Sequence, residues 1–540
     1  MKTETLSDAS IPAHFNFARD VVDEWARDES KLALWSVNDS GVEQKFTFAE
    51  LSKTSCKVAN VLANLGVQRG EVVVVILPRV VEWWLINLAC MRIGAIVSPG
   101  TIQLTPKDIN YRIQAAEAVC IVTKSENASR VDQGIANCPS LRIKMIVGGQ
   151  RDGWTCFESL VEDAAEEFAT LDTGSDENAI LYFTSGTTGL PKMTVHTHTS
   201  YAVGHKTTGR LWLDLHPDDL HWNLSDTGWA KMGWSSLYAP WNMGAAIFVH
   251  NSLAAFDPKK TLEWLSRYPI TTFCGAPTVY RMLVLEDLTK HKFTHLRHCV
   301  AAGEPLNPEV IQKWKTATGI TVRDGYGQTE TVLLAGSFPS IEPRFGSMGK
   351  PSPDFDIRII DGTCTVLSPG QEGDIAVRVR PHRPVGLFKE YWKDPERTAS
   401  AFRGDWYITG DRGYQDEDGY LWFVGRSDDV ILSGGYRIGP FEVESALLEH
   451  AAVAESAVVS SPDDVRGEVV KAFVVLKPGY RESQELVKEL QDHAKKVTAP
   501  YKYPRKIEFV SSLPKTISGK IRRMELRQKE WLKSGDLKNG

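Results

Sequence analysis

The feature that most constrains the fold of this chain is the alternation of short aliphatic segments with helical patterns. Between about residue 40 and residue 300, aliphatic segments at 72–77 and 95–97 flank a helical pattern over 80–92. Further short strands are predicted at 118–123, 145–147, 180–183, 247–249 and 271–273. This alternation predicts βαβ units and largely parallel sheets. Such sheets bind nucleotides at the carboxyl ends of their strands, so functional residues are expected in the loops that follow them.

The pattern changes after residue 350. Strands predicted at 357–360, 374–379 and 421–424 are separated by Asp-Gly turns, which favours antiparallel or barrel-like structure. Beyond Gly425, helices near 441–449 and 483–496 alternate with strands at 456–459 and 472–476. We therefore predict an α/β chain with a large N-terminal domain of βαβ subdomains plus a small barrel-like part, followed by a small α+β C-terminal domain. The polar stretch 425–429 indicates the boundary, which gives domains at 1–427 and 428–540.

Length and charge limit the functional classes. A chain of 540 residues is too long for one core and suggests two to four domains. The net charge of -6 gives no general attraction to nucleic acids or anionic lipids, so no nucleic-acid partner is expected. The eight cysteines never approach CxxC spacing, which favours buried small side chains in a reducing compartment over disulfides or zinc ligands.

The sequence also carries expectations about location. The longest aliphatic run, 72–77, is far shorter than the roughly 20 residues that a membrane helix needs, so no membrane insertion is expected. The first residues resemble neither a secretory signal nor a transit peptide. We expect a soluble intracellular protein, cytoplasmic, or in the mitochondrial matrix if a transit peptide is missing from this sequence. Its oligomeric state stays open.

A loop rich in glycine and hydroxyl side chains directly follows the strand predicted at 180–183. Its glycines let backbone N–H groups approach phosphate oxygens, while its hydroxyls and its lysine add donors and positive charge. It is not a Walker A loop, because two residues separate the second glycine from the lysine; a Ser/Thr/Gly-rich surface turn is the structural alternative. The phosphate-binding residues predicted here are Thr184, Ser185, Gly186, Thr187, Thr188, Gly189 and Lys192.

This loop resembles the phosphate-binding loop of the adenylate-forming superfamily, which contains acyl-CoA synthetases, adenylation domains and luciferases. The other signatures of that family follow in the same order up to residue 520. They are Gly303-Glu304-Pro305, the segment 324–330, Thr409-Gly410-Asp411, the segment 425–428, Gly434-Gly435-Tyr436-Arg437 and the segment 514–520. The region around Trp229 is most similar to medium-chain acyl-CoA synthetases.

The resemblance implies an ATP-dependent acid–CoA ligase that acts on short-chain, medium-chain or aryl carboxylic acids. The acid would first react with ATP to give an acyl-adenylate and pyrophosphate, and coenzyme A would then release acyl-CoA and AMP. ATP and CoA are the implied co-substrates, and Mg²⁺ is the implied cofactor. Because the acid and then the CoA thiol attack, no nucleophile from the protein is required.

The resemblance also implies an ATP site. Tyr326 offers a ring face to adenine, Thr329 a hydroxyl to the α-phosphate, Glu330 a carboxylate to Mg²⁺ and Asp411 a carboxylate to the ribose. Taken alone, these residues also fit tight turns with exposed acids. Besides the loop, the implied ATP-binding residues are Gly303, Glu304, Pro305, Asp324, Gly325, Tyr326, Gly327, Gln328, Thr329, Asp411, Arg426 and Arg437.

Lys520 is the implied catalytic residue, together with Glu330. A lysine at this position neutralises charge that moves onto pyrophosphate during attack at the α-phosphorus. By composition alone, Lys520 belongs to a solvated basic C-terminal segment. Trp229 would line the acyl pocket with residues 300–303 and 332–334, although a tryptophan is more often plain core; Trp234 is a weaker candidate for the same role.

The CoA step is expected to use another face of the small domain. The adjacent glycines Gly434 and Gly435 suit the close passage of a pantetheine arm, although a β-turn explains them equally well. This face and Lys520 cannot both meet the adenylate at once. The resemblance therefore implies that the small domain rotates, with Asp428 as the hinge. The alternative interpretation of Asp428 is an ordinary linker residue. The implied CoA-binding residues are Gln103, Gly434, Gly435, Tyr436, Arg466, Tyr503, Pro504 and Arg505. An isolated arginine is also typical of a solvated surface.

Three other functions compete with this interpretation. An adenylation enzyme that loads a carrier protein would normally be joined to a carrier module or work beside one. A luciferase-like oxygenase would emit light from the adenylate in an oxygen-dependent reaction. A nucleotide-binding scaffold without activity would be expected to have lost its motifs, yet Lys192, Glu330, Asp411, Arg426 and Lys520 are all present.

The motifs predict the products. Because the phosphate loop and Lys520 suit attack at the α-phosphorus, AMP and pyrophosphate should form in equal amounts with acyl-CoA. Nucleotide chromatography and a pyrophosphate assay on a panel of acids with ATP, Mg²⁺ and CoA measure this ratio. ADP as the stoichiometric product would contradict the prediction.

Overall fold

The computed structural model describes residues 11–184, 191–254, 256–427, 429–433, 436–463, 466–516 and 520–533. Two large sheets, a smaller antiparallel sheet and a C-terminal sheet make up its strands. None of the helices in these ranges is long and apolar enough to cross a membrane. The predicted mixed α/β architecture is confirmed.

The first large sheet has eight strands and is parallel through most of its width. Val72–Ile76 is fully buried and pairs in parallel with Ile96–Pro99 and Cys120–Lys124. Its side chains alternate between two cores because successive strand residues face opposite sides. In spatial order the strands are Glu390–Tyr391, Lys192–Thr197, Asn178–Thr184, Ile96–Pro99, Val72–Ile76, Cys120–Lys124, Ile143–Val147 and Thr155–Cys156.

The second large sheet has nine strands, with a parallel centre and antiparallel edges. Leu32–Asn38, which the periodicity did not predict, pairs in parallel with Ala246–Asn251 and antiparallel with Glu43–Thr47. In spatial order the strands are Lys350–Pro351, Leu333–Gly336, Val322–Gly327, His298–Ala302, Thr272–Gly275, Leu220–Asn223, Ala246–Asn251, Leu32–Asn38 and Glu43–Thr47.

Helices pack between and outside the two sheets. Val81–Arg92 is buried from Trp83 onward and belongs to the core that both sheets share, which explains its nearly uniform apolar character. Phe48–Asn64 begins at a capping box formed by Thr47 and Glu50. The remaining α-helices of eight or more residues are Pro106–Ala116, Ser125–Gly134, Pro258–Arg267, Pro308–Thr318, Pro440–Leu448, Gln484–Val497 and Arg523–Lys533.

Short helical segments complete the description of the helices. The short α-helices are Asp23–Trp25, Phe157–Glu162, His205–Thr207, Ala230–Gly233, Ala239–Asn242, Pro277–Leu283 and Pro395–Ser400. The π-helical turns are Ala18–Val22, Thr208–Trp212 and Trp234–Tyr238, and the 3₁₀ turns are Leu288–Lys290 and Pro500–Lys502.

The part of the chain after residue 350 forms antiparallel structure, as its turns predicted. Its five-stranded sheet consists of Ile357–Ile360, Gly373–Arg378, Phe402–Arg403, Trp406–Gln415 and Leu421–Arg426. The C-terminal sheet begins at Ile431 and consists of Ile431–Ser433, Tyr436–Ile438, Val453–Asp463, Gly467–Leu476 and Lys506–Phe509. The last strand of the five-stranded sheet therefore ends at Arg426, and the first strand of the C-terminal sheet begins at Ile431.

A buried ion cluster joins the last helix to the C-terminal sheet. Lys471 lies on the strand Gly467–Leu476, and its Nζ donates to Glu530 Oε1 and to Glu508 Oε2 at 2.6 Å each. Glu530 is 6% exposed and also accepts from Ser461 Oγ at 3.1 Å. Removing one partner of a buried ion pair leaves an uncompensated charge, which costs about 3–5 kcal/mol.

We expect Lys471→Met to destabilise the C-terminal segment by roughly that amount, about 3–5 kcal/mol. The control is Lys529→Met on the last helix, Arg523–Lys533. There Lys529 forms an exposed i,i+4 pair with Glu525 at 3.1 Å, which contributes little to stability. Hydrogen exchange of the strand Gly467–Leu476, followed by mass spectrometry, measures the loss. Equal protection in both variants would rule out a stabilising role for the cluster.

Candidate active site

Loops at the carboxyl ends of two neighbouring parallel strands meet the antiparallel sheet at one cavity. Gly303, Glu304 and Pro305 follow the strand His298–Ala302, and residues 328–330 follow Val322–Gly327. The cavity has a volume of about 890 Å³. Its lining includes the following residues predicted from the sequence: Thr184, Lys192, Gly303, Glu304, Pro305, Asp324, Gly325, Tyr326, Gly327, Gln328, Thr329, Glu330, Asp411, Arg426 and Lys520.

Asp411 is a buried carboxylate in this lining that accepts three side-chain hydrogen bonds. It lies opposite Arg426 in the antiparallel sheet and is 4% exposed. Its Oδ2 accepts from the Tyr326 hydroxyl at 2.6 Å and from Gln328 Nε2 at 2.7 Å, while Oδ1 accepts from Arg426 Nη1 at 2.9 Å. Burial raises the pKa of this carboxyl, and the charge of Arg426 and the hydrogen bonds oppose the shift.

Gln328 extends this network to the neighbouring strand. Its Nε2 also donates to the Thr409 carbonyl at 2.8 Å, and its Oε1 accepts from the Tyr407 hydroxyl at 2.9 Å. With both ends of its amide engaged, the Gln328 side chain has one orientation. The network therefore fixes where the Tyr326 ring and the Asp411 carboxylate sit in the cavity.

Glu330 and Lys192 both lie next to the side chain of Tyr391. The Tyr391 hydroxyl donates to Glu330 Oε1 at 2.8 Å, and Lys192 Nζ lies 5.3 Å from the centroid of the Tyr391 ring. Lys192 pairs with Thr184 across the antiparallel strands that flank the phosphate loop. Both charged residues and this tyrosine line the cavity.

Thr329 is positioned from behind by a buried histidine. His196 Nε2 lies 2.7 Å from the Thr329 carbonyl oxygen, and Nδ1 lies 3.1 Å from Ser200 Oγ. Burial lowers the pKa of His196 to about 4, so the imidazole is neutral at pH 7. A carbonyl can only accept, so Nε2 carries the proton and Nδ1 accepts from Ser200.

The turn at Gly303 requires glycine. Its φ of 108° lies in a region that side-chain-bearing residues rarely adopt. The next residue, Glu304, pairs with Arg281 Nη2 at 3.0 Å, and Arg281 Nη1 also donates to Asn307 Oδ1 at 3.3 Å. Arg281 therefore holds the segment that follows the turn at two positions.

Lys520 reaches the cavity from the C-terminal part of the chain. Its backbone N–H donates to Thr516 Oγ1 at 3.1 Å, and its carbonyl accepts from the Thr516 N–H at 2.7 Å. Three residues later, Arg523 forms a bidentate pair with the buried carboxylate of Glu444, at 2.9 and 2.7 Å. The lysine turn is thus fixed at the start of the last helix.

A family description for AMP-binding enzymes matches residues 22–392, and one for the C-terminal domain of AMP-binding enzymes matches residues 442–520. The human mitochondrial acyl-coenzyme A synthetase ACSM3 is 55% identical over 531 residues, covering 96% of this chain and 90% of the human protein. Human ACSM4 is 53% identical, with 96% and 91% covered. The crystal structure of the anthranilate CoA ligase AuaEII with anthranoyl-AMP superposes with a TM-score of 0.90 at 31% identity, covering 98% of this chain and 100% of that one.

The chain belongs to the AMP-binding enzyme family. The family membership, the acyl-CoA synthetase activity and the fold class predicted from the sequence are thereby confirmed.

In this AMP-binding enzyme, most of the residues expected to contact CoA lie away from the nucleotide cavity. Tyr436 is 53% exposed, and its ring stacks on Tyr501 with centroids 4.3 Å apart. Arg505 Nη1 donates to the Tyr503 hydroxyl at 2.9 Å, and the Pro504 carbonyl accepts from Gln491 Nε2 at 3.1 Å. These contacts involve the strand Tyr436–Ile438, the helix Gln484–Val497 and the segment 501–505.

Three other predicted residues have different surroundings. Arg466 is exposed, and its N–H donates to Asp463 Oδ1 at 2.9 Å. Gln103 is exposed at a second cavity rather than beside the C-terminal sheet. Arg437, predicted to bind ATP, is exposed on the strand Tyr436–Ile438 and does not line the nucleotide cavity. Residues Ser185, Gly186, Thr187, Thr188, Gly189, Asp428, Gly434 and Gly435 lie outside the described residues.

A second cavity of about 780 Å³ adjoins the first and shares Lys520, Glu304 and residues 325–329 with it. Trp229, Trp234 and the expected residues Ala302, Gly303, Val332 and Leu333 line it. Of the expected residues, Val300, Ala301 and Leu334 do not line it, and each of them packs into a hydrophobic core.

Sequence reasoning missed several residues of this second cavity. Tyr182, His205, Thr208, Trp212 and Lys231 all line it. Trp212 packs so closely that a Cβ on Gly325 would lie 2.2 Å from its ring. Of these residues, Lys231 alone falls in the aromatic-rich stretch around Trp229, residues 225–241, and such a stretch is also typical of plain core.

Asp324 gives this site a pH signature. Burial raises the pKa of its carboxyl to about 8, although the Gly325 N–H donates to Oδ1 at 2.9 Å. The folded protein therefore keeps a proton that the unfolded chain loses near its ordinary pKa of about 3.9. Stability from this residue is complete at low pH and falls as the pH rises toward 8, by up to about 1.4 kcal/mol per pH unit.

We expect Asp324→Asn to remove that slope. Urea unfolding at pH 5, 6, 7 and 8 should give a flatter pH dependence of the unfolding free energy than in the unaltered protein. Asp218→Asn in an exposed turn is the control and should leave the slope unchanged. Identical slopes in all three proteins would show that Asp324 is ionised in the fold at pH 5.

Proposed function

We propose that this acyl-CoA synthetase brings ATP and a carboxylic acid together where the two cavities meet, and that it later transfers the acyl group from the adenylate to CoA. The observation that carries the proposal is that both cavities share residues 325–329 and Lys520. A nucleotide in the first cavity and an acid in the second would meet at these residues. The α-phosphorus would then lie within reach of the acid's carboxylate.

The nucleotide is proposed to bind through the Asp411 network. The carboxylate would accept from the ribose hydroxyls, and the Tyr326 ring, whose hydroxyl is tied to Asp411, would stack on adenine. The backbone at Gly303-Glu304-Pro305 would border the base. The phosphates would extend toward Thr329, Lys192 and the loop from Thr184 onward, with Arg426 adding positive charge.

Magnesium is proposed to bind at Glu330. The described residues contain no group of three His, Cys, Asp or Glu side chains close enough to hold a metal ion. This donor set still fits Mg²⁺, which is often held by one carboxylate together with water and phosphate oxygens. The ion would supply charge neutralisation at the phosphates. The Tyr391 hydroxyl binds Oε1 of Glu330 and so orients the carboxylate, which leaves Oε2 for the ion.

Lys520 is proposed to serve the first half-reaction alone. In this arrangement it faces the cavity, whereas Tyr436, Arg466 and the 503–505 segment lie elsewhere on the C-terminal part. We infer that the part from residue 428 onward is a mobile domain that rotates against residues 1–427 at Asp428. That rotation would remove Lys520 and bring Gly434, Gly435 and the CoA-binding residues to the adenylate.

The acid is proposed to be medium-chain or aryl. The second cavity is lined by Trp229, Trp234, Trp212 and Val332, which suits an apolar acyl group. AuaEII, the similar ligase, was crystallised with the aryl adenylate anthranoyl-AMP. We propose an intracellular location, and because the human relatives are named mitochondrial, we favour the matrix. The alternative function, loading of a carrier protein, would use the same first half-reaction.

We expect Lys520→Ala to lower the rate of adenylate formation by roughly 10²–10³-fold, the usual effect of removing one electrostatic stabiliser. Thioester formation from a supplied acyl-adenylate should stay within about threefold, because Lys520 acts only on charge that develops in the first step. Single-turnover pyrophosphate release and acyl-CoA formation measure the two steps separately.

Lys515→Ala is the matched control. Lys515 lies on the same turn but pairs with Glu455 at 2.7 Å and does not line either cavity. Both half-reactions should persist in this variant. An equal loss of both half-reactions in Lys520→Ala would contradict the assignment of Lys520 to the first step.

A further inference from the structure

A hydrogen bond joins the two parts of the chain that are proposed to rotate against each other. Asn307 lies directly before the helix Pro308–Thr318 of the large part, and Ser445 lies on the helix Pro440–Leu448 of the C-terminal part. Asn307 Nδ2 donates to Ser445 Oγ at 3.0 Å. Asn307 lines the nucleotide cavity, whereas Ser445 lines neither of the two cavities. Ser445 therefore does not reach a ligand in either of them.

Asn307 departs from the usual role of an asparagine at its position. It is the N-cap residue of its helix, where an asparagine side chain normally accepts from a backbone N–H of the first turn. Within the described range 256–427, this side chain makes no such capping hydrogen bond. Instead, its Oδ1 accepts from Arg281 Nη1 at 3.3 Å. Because a guanidinium can only donate, the amide oxygen faces Arg281 and the amide nitrogen remains for Ser445.

Arg281 connects this amide to the turn that is proposed to border adenine. Its other terminal nitrogen, Nη2, donates to Glu304 Oε2 at 3.0 Å. A continuous chain of polar contacts therefore runs from Glu304 through Arg281 to the hydrogen bond at Ser445. Asn307 is 3% exposed, so the loss of its partner leaves a buried donor unpaired.

The helix that carries Ser445 also holds the lysine turn. Ser445 directly follows Glu444, whose buried carboxylate forms the bidentate pair with Arg523. Lys520 lies three residues before Arg523 and lines both cavities. A contact that holds Ser445 against Asn307 therefore also holds Lys520 at the place where the cavities meet.

We propose that Asn307 and Ser445 are positioning residues for adenylate formation: their hydrogen bond holds the C-terminal part where Lys520 meets the nucleotide cavity, and it breaks when that part rotates for the CoA step. The inference rests on the proposed function and adds a contact that sets the balance between its two orientations. Because each half-reaction uses one orientation, the ratio of the two rates follows the ratio of the two populations.

The test replaces Ser445 by alanine, which removes the acceptor and keeps the helix, since alanine is the better helix former. Single-turnover pyrophosphate release from ATP, Mg²⁺ and the fastest of hexanoate, octanoate and benzoate measures adenylate formation. Acyl-CoA formation from the corresponding acyl-adenylate measures the CoA step. We expect the ratio of the first rate to the second to fall by roughly 2- to 10-fold, the usual effect of one hydrogen bond, with the CoA step unchanged or faster.

A double substitution shows whether Ser445 acts through Asn307. Asn307→Ala should lower the same ratio. Adding Ser445→Ala to that variant should lower the ratio no further, because the hydrogen bond is already lost. If the two effects instead multiply, Ser445 acts through some other contact and the proposal is wrong.

Ser460→Ala is the matched control. Ser460 Oγ accepts from Trp531 Nε1 at 3.3 Å, and both residues belong to the C-terminal part. This variant also loses one hydrogen bond of a serine, but that bond does not join the two parts of the chain. The ratio of the two rates should therefore stay unchanged. A fall as large as that in Ser445→Ala would mean that general weakening of the C-terminal part sets the ratio, which would overturn the proposal.

The outcomes separate this inference from the proposed function. If both half-reactions proceed and Ser445→Ala has the same ratio as the unaltered enzyme, the inference fails and the proposed function stands. If the unaltered enzyme yields neither pyrophosphate nor acyl-CoA from any of the three acids, both fail. The ratio in Asn307→Ala decides the question if Ser445→Ala does not fold.

Discussion

The carboxylate of Asp411 is the group on which the rest of the site depends. It is buried at 4% exposure, and its donors come from separate parts of the chain: Tyr326 and Gln328 at the end of a parallel strand, and Arg426 in the antiparallel sheet. A buried carboxylate is tolerated only when its acceptor sites are filled. Satisfying it therefore requires the second large sheet and the antiparallel sheet to meet at one distance and angle. The cavity is the space that this meeting encloses.

The C-terminal part of the chain is organised around two buried carboxylates of its own. Glu444 holds Arg523 at the start of the last helix, and Glu530 holds Lys471 near the end of that helix. The helix is thereby tied at both ends, and Lys520, three residues before Arg523, has a fixed base. The stacked pair Tyr436 and Tyr501 lies on an exposed surface that is separate from this turn. The turn that carries Lys520 lines the cavity, whereas this tyrosine pair does not.

Buried histidines act around the cavities as neutral hydrogen-bonding groups. His196 donates to the Thr329 carbonyl, and His221 lies 2.7 Å from Thr272 Oγ1 and 3.0 Å from Ser235 Oγ. Burial lowers the pKa of His196 to about 4 and that of His221 to about 3. Both imidazoles are therefore neutral at pH 7 and form hydrogen bonds without a positive charge, which would repel the lysines nearby. Lys231 is likewise shifted toward its neutral form, since burial and the charge of Lys520 both lower its pKa.

The sequence by itself determined those features that depend on local pattern and side-chain chemistry. The strands near 72–77 and 357–360, the antiparallel character after residue 350 and the order of the nucleotide motifs could all be read from it, because periodicity and turn residues act over a few positions. Tertiary structure decided the rest. Leu32–Asn38 became a strand by pairing with Ala246–Asn251, more than 200 residues away, and Arg437 came to lie on the surface despite its place in a motif. His205 became a cavity residue for the same reason: which side chains line a cavity depends on long-range packing, and no local pattern encodes it.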